Sequence, residues 1–129
     1  MVLAWGYPSE TVTYTAPQIE VIELKRDISP ELYHLIEAHF GTSTPQAIEV
    51  AWCESNLRQY NANGAVLRGR ENPNDIGVFQ INYWIHRKEI EKQALDVTKV
   101  EDNVKFAAFL WQRNEWRDWK WSAKCHGLR

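Results

Sequence analysis

The sequence predicts an α+β domain that is mostly helical, with a small hairpin or sheet beside a cleft and an extended N-terminal arm. Three observations carry this. Capped segments with apolar residues at helical spacing recur at 29–41, 44–55 and 98–111. Between them, Asn63-Gly64 sits among apolar or long side chains, the strongest short-range hairpin signal, and Glu71-Asn-Pro-Asn-Asp75 is turn chemistry that ends the segment. Residues 1–27 show no helical period. The expected division is an arm over 1–27 and one domain over 28–129.

The bulk numbers fit one core. The chain has 129 residues, 44% hydrophobic and 25% charged, which is ordinary globular composition. Net charge is −2 with no basic stripe, so nucleic acid is not an expected partner. The same balance gives no net electrostatic pull toward an anionic polymer. No run of roughly 18 apolar residues exists, so no membrane span is expected. The start, Met1-Val-Leu-Ala-Trp-Gly-Tyr-Pro, lacks the basic n-region and apolar run of a signal peptide. Either the protein is cytoplasmic or a signal lies outside this sequence. No metal-ligand spacing stands out, no cofactor is expected, and a monomer is expected.

Taken in order, the arm alternates at Thr11-Val-Thr-Tyr-Thr and is β-branched at Ile19-Glu-Val-Ile-Glu-Leu, which predicts one or two short strands. The first helix has Ser29 as N-cap, Pro30 at its first position and Gly41 past its end. Leu32, Leu35, Ile36 and Phe40 form its buried face, and His34 and His39 flank that face. The second helix starts at Thr44-Pro45, a cap followed by proline. Ala47, Ile48, Val50, Ala51 and Trp52 share one arc, and Glu54 falls inside it while Glu49 does not. A short charged helix is predicted over 87–95, with Ile90, Ala94 and Leu95 inward. Thr98-Lys-Val-Glu101 has capping-box spacing and starts a helix whose core face is Val100, Val104, Ala107, Ala108 and Trp111. The tail puts Trp116, Trp119 and Trp121 into six positions and is read as a cap over the helices.

Glu54 is the first candidate for chemistry. A carboxylate directed along an apolar face at a helix C-terminus has its proton affinity raised by burial and by the helix dipole. A carboxylic acid kept protonated near neutrality is what general-acid catalysis requires. From the pattern alone, a salt-bridged or solvent-directed glutamate at a frayed helix end is the plainer reading. Asp75 is the second candidate, as a carboxylate facing the cleft or as a turn cap. Gln80, a lone amide in Gly77-Val-Phe-Gln-Ile, needs partners if buried or else points into a cleft. Tyr83 and Trp84 offer a sugar-stacking edge, with core packing as the alternative, and Asn82 is a further contact candidate. Asn103, inside a helix, calls for a polar partner or ligand. Cys53 and Cys125 fit a long-range disulfide or two buried thiols, and the residues do not choose between them.

Glu54-Ser55, then Gly77-Val-Phe-Gln-Ile81, then Asn103 and a terminal Trp-Trp-Cys segment resemble the lysozyme-like superfamily. Order and spacing are nearest the lytic transglycosylase branch, while Glu54-Ser-Asn-Leu with Asp75-Ile-Gly-Val-Phe-Gln-Ile-Asn82 is similar to chicken-type lysozymes. The matching region is roughly 44–125; residues 1–27 match neither pattern. The resemblance implies a lysozyme-like fold over 28–129 and cleavage of the β-1,4 glycosidic bonds of peptidoglycan. It implies Glu54 as general acid/base, Asp75 as the second carboxylate, Gln80 lining the sugar cleft and Asn103 bracing it. A peptidoglycan-cleaving enzyme would work secreted or in the cell envelope. Most transglycosylases lack an acid at the Asp75 position, so the outcome, hydrolysis or 1,6-anhydro ring closure, stays open. A non-catalytic glycan-binding module on the same scaffold is the alternative.

Overall fold

The computed structural model describes residues 25–128. The strands expected at 11–15 and 19–24 lie outside the described residues. Helix α1 spans Pro30–Phe40, with the Ser29 hydroxyl accepting from the Leu32 amide at 3.2 Å. It ends at Gly41, whose φ of 53° closes the turn. A 3-10 turn, Gly41–Ser43, leads into α2, Thr44–Ser55. Thr44 is not the cap expected from the sequence. Thr44 is already helical, and its hydroxyl donates back to the Gly41 carbonyl at 2.6 Å. The tight Gly41–Ser43 turn leaves the cap position to Ser43, whose side chain makes no capping bond.

After α2 the chain makes a meander of isolated pairings, Tyr60 with Val66 and Arg68 with Ile76. It then forms a two-stranded antiparallel sheet, β1 (Asp75–Ile76) with β2 (Ile81–Asn82). So a small sheet is present, but the Asn63-Gly64 turn does not close it. Helix α3 covers Tyr83–Lys92, beginning four residues before the expected start at Arg87. Its cap is Asn82, whose side-chain oxygen accepts from the Ile85 amide at 2.9 Å. Ala94, expected inward, is exposed in the left-handed region with φ 55°, where it ends the segment. Helix α4 runs Val100–Asn114. The predicted capping box at Thr98–Glu101 does not form. The Thr98 hydroxyl is taken by the Asp96 carboxylate, and Lys99 occupies the cap position. A 3-10 segment, Arg117–Ser122, and the short α5, Ala123–His126, complete the fold.

The core lies between α1, α2 and α4, closed at one end by the tail. Phe40 of α1 stacks on Phe79 at 5.5 Å and on Trp116 at 5.9 Å, and Phe79 meets Trp119 edge-on. Each such aromatic takes roughly 2–3 kcal/mol from burial. Trp116 and Trp119 therefore cap the helices as expected, but Trp121 is 90% exposed. Cys53 and Cys125 form a disulfide between α2 and α5. Beside Cys53 on α2, the Arg26 guanidinium lies 3.5 Å over the Trp52 ring and pairs with Glu49, docking the start of the domain. Among the described residues, no helix is long and apolar enough to cross a membrane.

Candidate active site

The last turn of α2 sets the geometry. Asn56 (φ 54°) and Leu57 (φ 62°) are both left-handed, and their amides return to Trp52 and Ala51. This stops the helix directly after Ser55 and holds Glu54 in its final turn. Ser55 is buried and donates to the Val78 carbonyl at 2.6 Å, fastening α2 to the turn Gly77–Gln80. That turn is enclosed by side-chain amides. Gln59 accepts from Val78 N at 2.8 Å, and Asn103 accepts from Phe79 N at 3.0 Å while donating to the carbonyls of Ile76 and Val97. The Trp119 indole donates to Phe79 O at 2.9 Å. Gly77 has φ +76°, and a Cβ there would run into the side-chain amides of Gln59 and Asn103. Among the described residues, no buried side-chain polar atom is left without a partner.

The clamped turn presents Gln80 (φ 49°) to a cleft of about 730 Å³, its amide donating to Gly77 O at 2.9 Å. Glu54, Asp75, Gln80 and Asn82 all line this cleft. Asp75 and Asn82 are cross-strand partners, and the Asn82 amide donates to the Asp75 carboxylate at 3.0 Å. Glu54 is half-buried and meets the Ser122 hydroxyl at 2.6 Å. Ser122 also lies 3.1 Å from the Trp119 carbonyl. Its single hydrogen serves one acceptor at a time. It donates to an ionised Glu54, and when Glu54 is protonated it turns to Trp119 O and accepts from the acid. His126 adds a second donor to that carbonyl. Its Nδ1 accepts from Leu128 N at 2.9 Å, which leaves the hydrogen on Nε2, 3.0 Å from Trp119 O.

Burial pushes the Glu54 carboxyl above the ordinary glutamate range. The Ser122 hydrogen bond pulls it partly back, and the Asp75 charge adds to the rise. Burial also raises Asp75, opposed by its bond from Asn82. His86 also lines the cleft; burial lowers it, with Asp118 opposing and Arg113 reinforcing the shift, and its Nε2 lies 4.0 Å from the Asp118 carboxylate. Trp121 stands bare at the rim.

Not every expected contact comes to this cleft. Tyr83 turns to a separate recess with Arg68 and Leu95, and Trp84 is exposed with the Arg87 guanidinium 3.8 Å over its ring. The α3 helix begins at Tyr83, so these two side chains leave in directions set by the helix and not by the sheet. Asn103 is fully buried and cannot touch a ligand; it braces the turn behind Gln80. Sequence reasoning missed Ser122, His86, Trp121 and the buried Gln59. Ser122 did leave a signal. It lies one helical turn before Cys125, so a Cys53–Cys125 bond brings it beside Glu54. Among the described residues, no group of three or more His, Cys, Asp or Glu is placed to hold a metal ion. No protein-family model, curated protein or solved structure matches the chain.

Proposed function

We propose that the protein cleaves β-1,4 glycosidic bonds of peptidoglycan, with Glu54 as general acid and then base, on a lysozyme-like scaffold. One observation carries the reading. A glutamate whose carboxyl is biased toward its protonated form opens on a cleft of about 730 Å³ shared with a second carboxylate. Protonated Glu54 gives its proton to the glycosidic oxygen as the bond breaks. The hydroxyl of Ser122 then turns to donate to the new carboxylate, which stabilises the product of that transfer. Asp75, lining the same cleft, stabilises the positive charge developing on the sugar. The reaction ends when Glu54 draws a proton from water, or from the sugar's own 6-hydroxyl with closure of a 1,6-anhydro ring. Gln80 and Asn82 supply hydrogen bonds to the sugar, and Trp121 a stacking face at the rim. The disulfide suits a protein that works in an oxidising space such as the cell envelope or beyond it.

The Glu54→Gln variant should fold and lose release of soluble fragments from purified cell walls by at least about a thousandfold. Retained release would refute the assignment. Mass spectrometry of the wild-type fragments then reads the outcome: anhydro-muropeptides mark ring closure and reducing ends mark hydrolysis.

A further inference from the structure

Glu54 and Gln80 line a second recess as well as the cleft, so they form a waist between the two. This recess, about 440 Å³, holds Arg58, Arg68 and Arg70 around Gly69. The charge on the two sides differs. The cleft holds Glu71, Asp75 and Asp118 together with Arg117 and Lys120. Arg58, Arg68 and Arg70 line the recess, Arg68 being shared with the recess at Tyr83, and Glu54 at the waist is its one acidic lining residue.

Two of the three arginines are held by backbone carbonyls and not by acids. Arg58 leaves the turn after α2 and donates Nε to Ser55 O at 3.4 Å. Arg68 sits at the pairing with Ile76 and donates one Nη to Pro73 O at 3.0 Å. Arg70 follows two residues on and lines the same recess. Gly69 between them donates to Asp75 O at 2.8 Å, and a Cβ there would meet Asn72 O at 2.5 Å and Gln80 Oε1 at 3.2 Å. The absent side chain lets the segment carrying Arg68 and Arg70 lie directly against Gln80 at the waist. Among the described residues, the ion pairs are Arg26–Glu49, His34–Glu37 and His86–Asp118, and none uses these arginines. Each guanidinium carries five N–H donors, so most remain free for a ligand.

We propose that this recess is a subsite for an oxyanion-bearing substituent of the glycan, a carboxylate or a phosphate ester carried beside the scissile bond. Planar forked donors fit both groups. The protein would then distinguish decorated from bare strands although its net charge is −2, because the selection is local to one side of Glu54. What lies at the waist rests on the glycosidase reading; the anion preference rests on the arginines.

The test is calorimetric binding to the full chain carrying Glu54→Gln, so that ligand is not consumed. Three wall-glycan probes are compared: strands stripped of all substituents, strands retaining peptide carboxylates, and strands retaining phosphodiester polymer. One of the charged strands should bind roughly tenfold or more tightly than the stripped strand. That gain should shrink with salt and disappear when Arg58→Gln and Arg70→Gln are added. The strand that shows the gain identifies the anion. Equal affinity for all three strands overturns the proposal, as does a gain that survives the double substitution. Failure of the glycosidase reading looks different: wild-type protein would release no fragments while the arginine-dependent preference persists.

Discussion

The turn at 61–65 and the turn at 77–80 both depend on a left-handed glycine, yet they are satisfied in opposite ways. At the first, Asn61 N donates to Ala65 O, Gly64 N returns to Asn61 O, and the Asn63 side chain accepts from Ala65 N. Every partner is within the turn, and the residues 61–65 are exposed. At the second, the partners come from Gln59, Ser55, Asn103 and Trp119, at sequence separations of 19, 23, 24 and 40. A turn that satisfies itself places nothing. A turn satisfied from three other elements fixes those elements to one another, and here it fixes α2, α4 and the tail around Gln80 and Glu54.

Substitutions at matched positions separate the two. Gly77→Ala meets both a positive φ and two buried amides, and should cost about 3–5 kcal/mol in urea unfolding. Gly64→Ala meets only the φ, with nothing within 4 Å of the new methyl, and should cost about 1 kcal/mol. Equal costs would mean that the amide clamp contributes little. Next in size, Asn103→Ala strands the Phe79 amide and the Ile76 carbonyl in the core, an expected loss of about 3 kcal/mol. Asn63→Ala removes one exposed bond and should lose no more than about 1 kcal/mol by the same melts.

The smallest effects concern protons. Ser122→Ala removes the hydrogen bond that lowers Glu54, so the Glu54 pKa rises and the alkaline limb of the activity profile moves to higher pH. Asp75→Asn removes a charge that raises Glu54, so that limb moves to lower pH. Folded Glu54 holds its proton more tightly than the unfolded chain does. Its contribution to stability is therefore complete below the unfolded carboxyl pKa and is lost as pH rises through the folded one. Glu54→Gln should accordingly flatten that decline in a pH series of thermal melts, and an unchanged slope would argue against the buried acid.

What could be read in advance followed locality. Ser29, Pro30 and Gly41 act within one turn of their own position, and α1 forms where they predict. Glu54 could be placed because helical period alone puts it on the apolar arc of α2. Thr98 failed as a cap because Asp96, two residues away, competes for its hydroxyl. Tyr83 and Trp84 lie outside the lining of the cleft because the cap at Asn82 starts the helix with them, four residues before the expected Arg87. Gln59 and Ser122 were harder to read for a stronger reason, Ser122 being reachable only through the Cys53–Cys125 pairing. Their partners lie 38 and 68 residues away, and no local pattern encodes such a distance.

The Cys53–Cys125 bond has a consequence for covalent connectivity. It closes a loop across 72 residues, and by loop-closure entropy it disfavours the unfolded chain by about 4 kcal/mol. It also gives the molecule a second path between its two halves. A protease that cuts the exposed turn at 61–65 severs only the first path. The fragments stay one molecule, joined beside Glu54 on one piece and one helical turn from Ser122 on the other. A single backbone cut anywhere between residues 53 and 125 therefore leaves this link beside Glu54 intact.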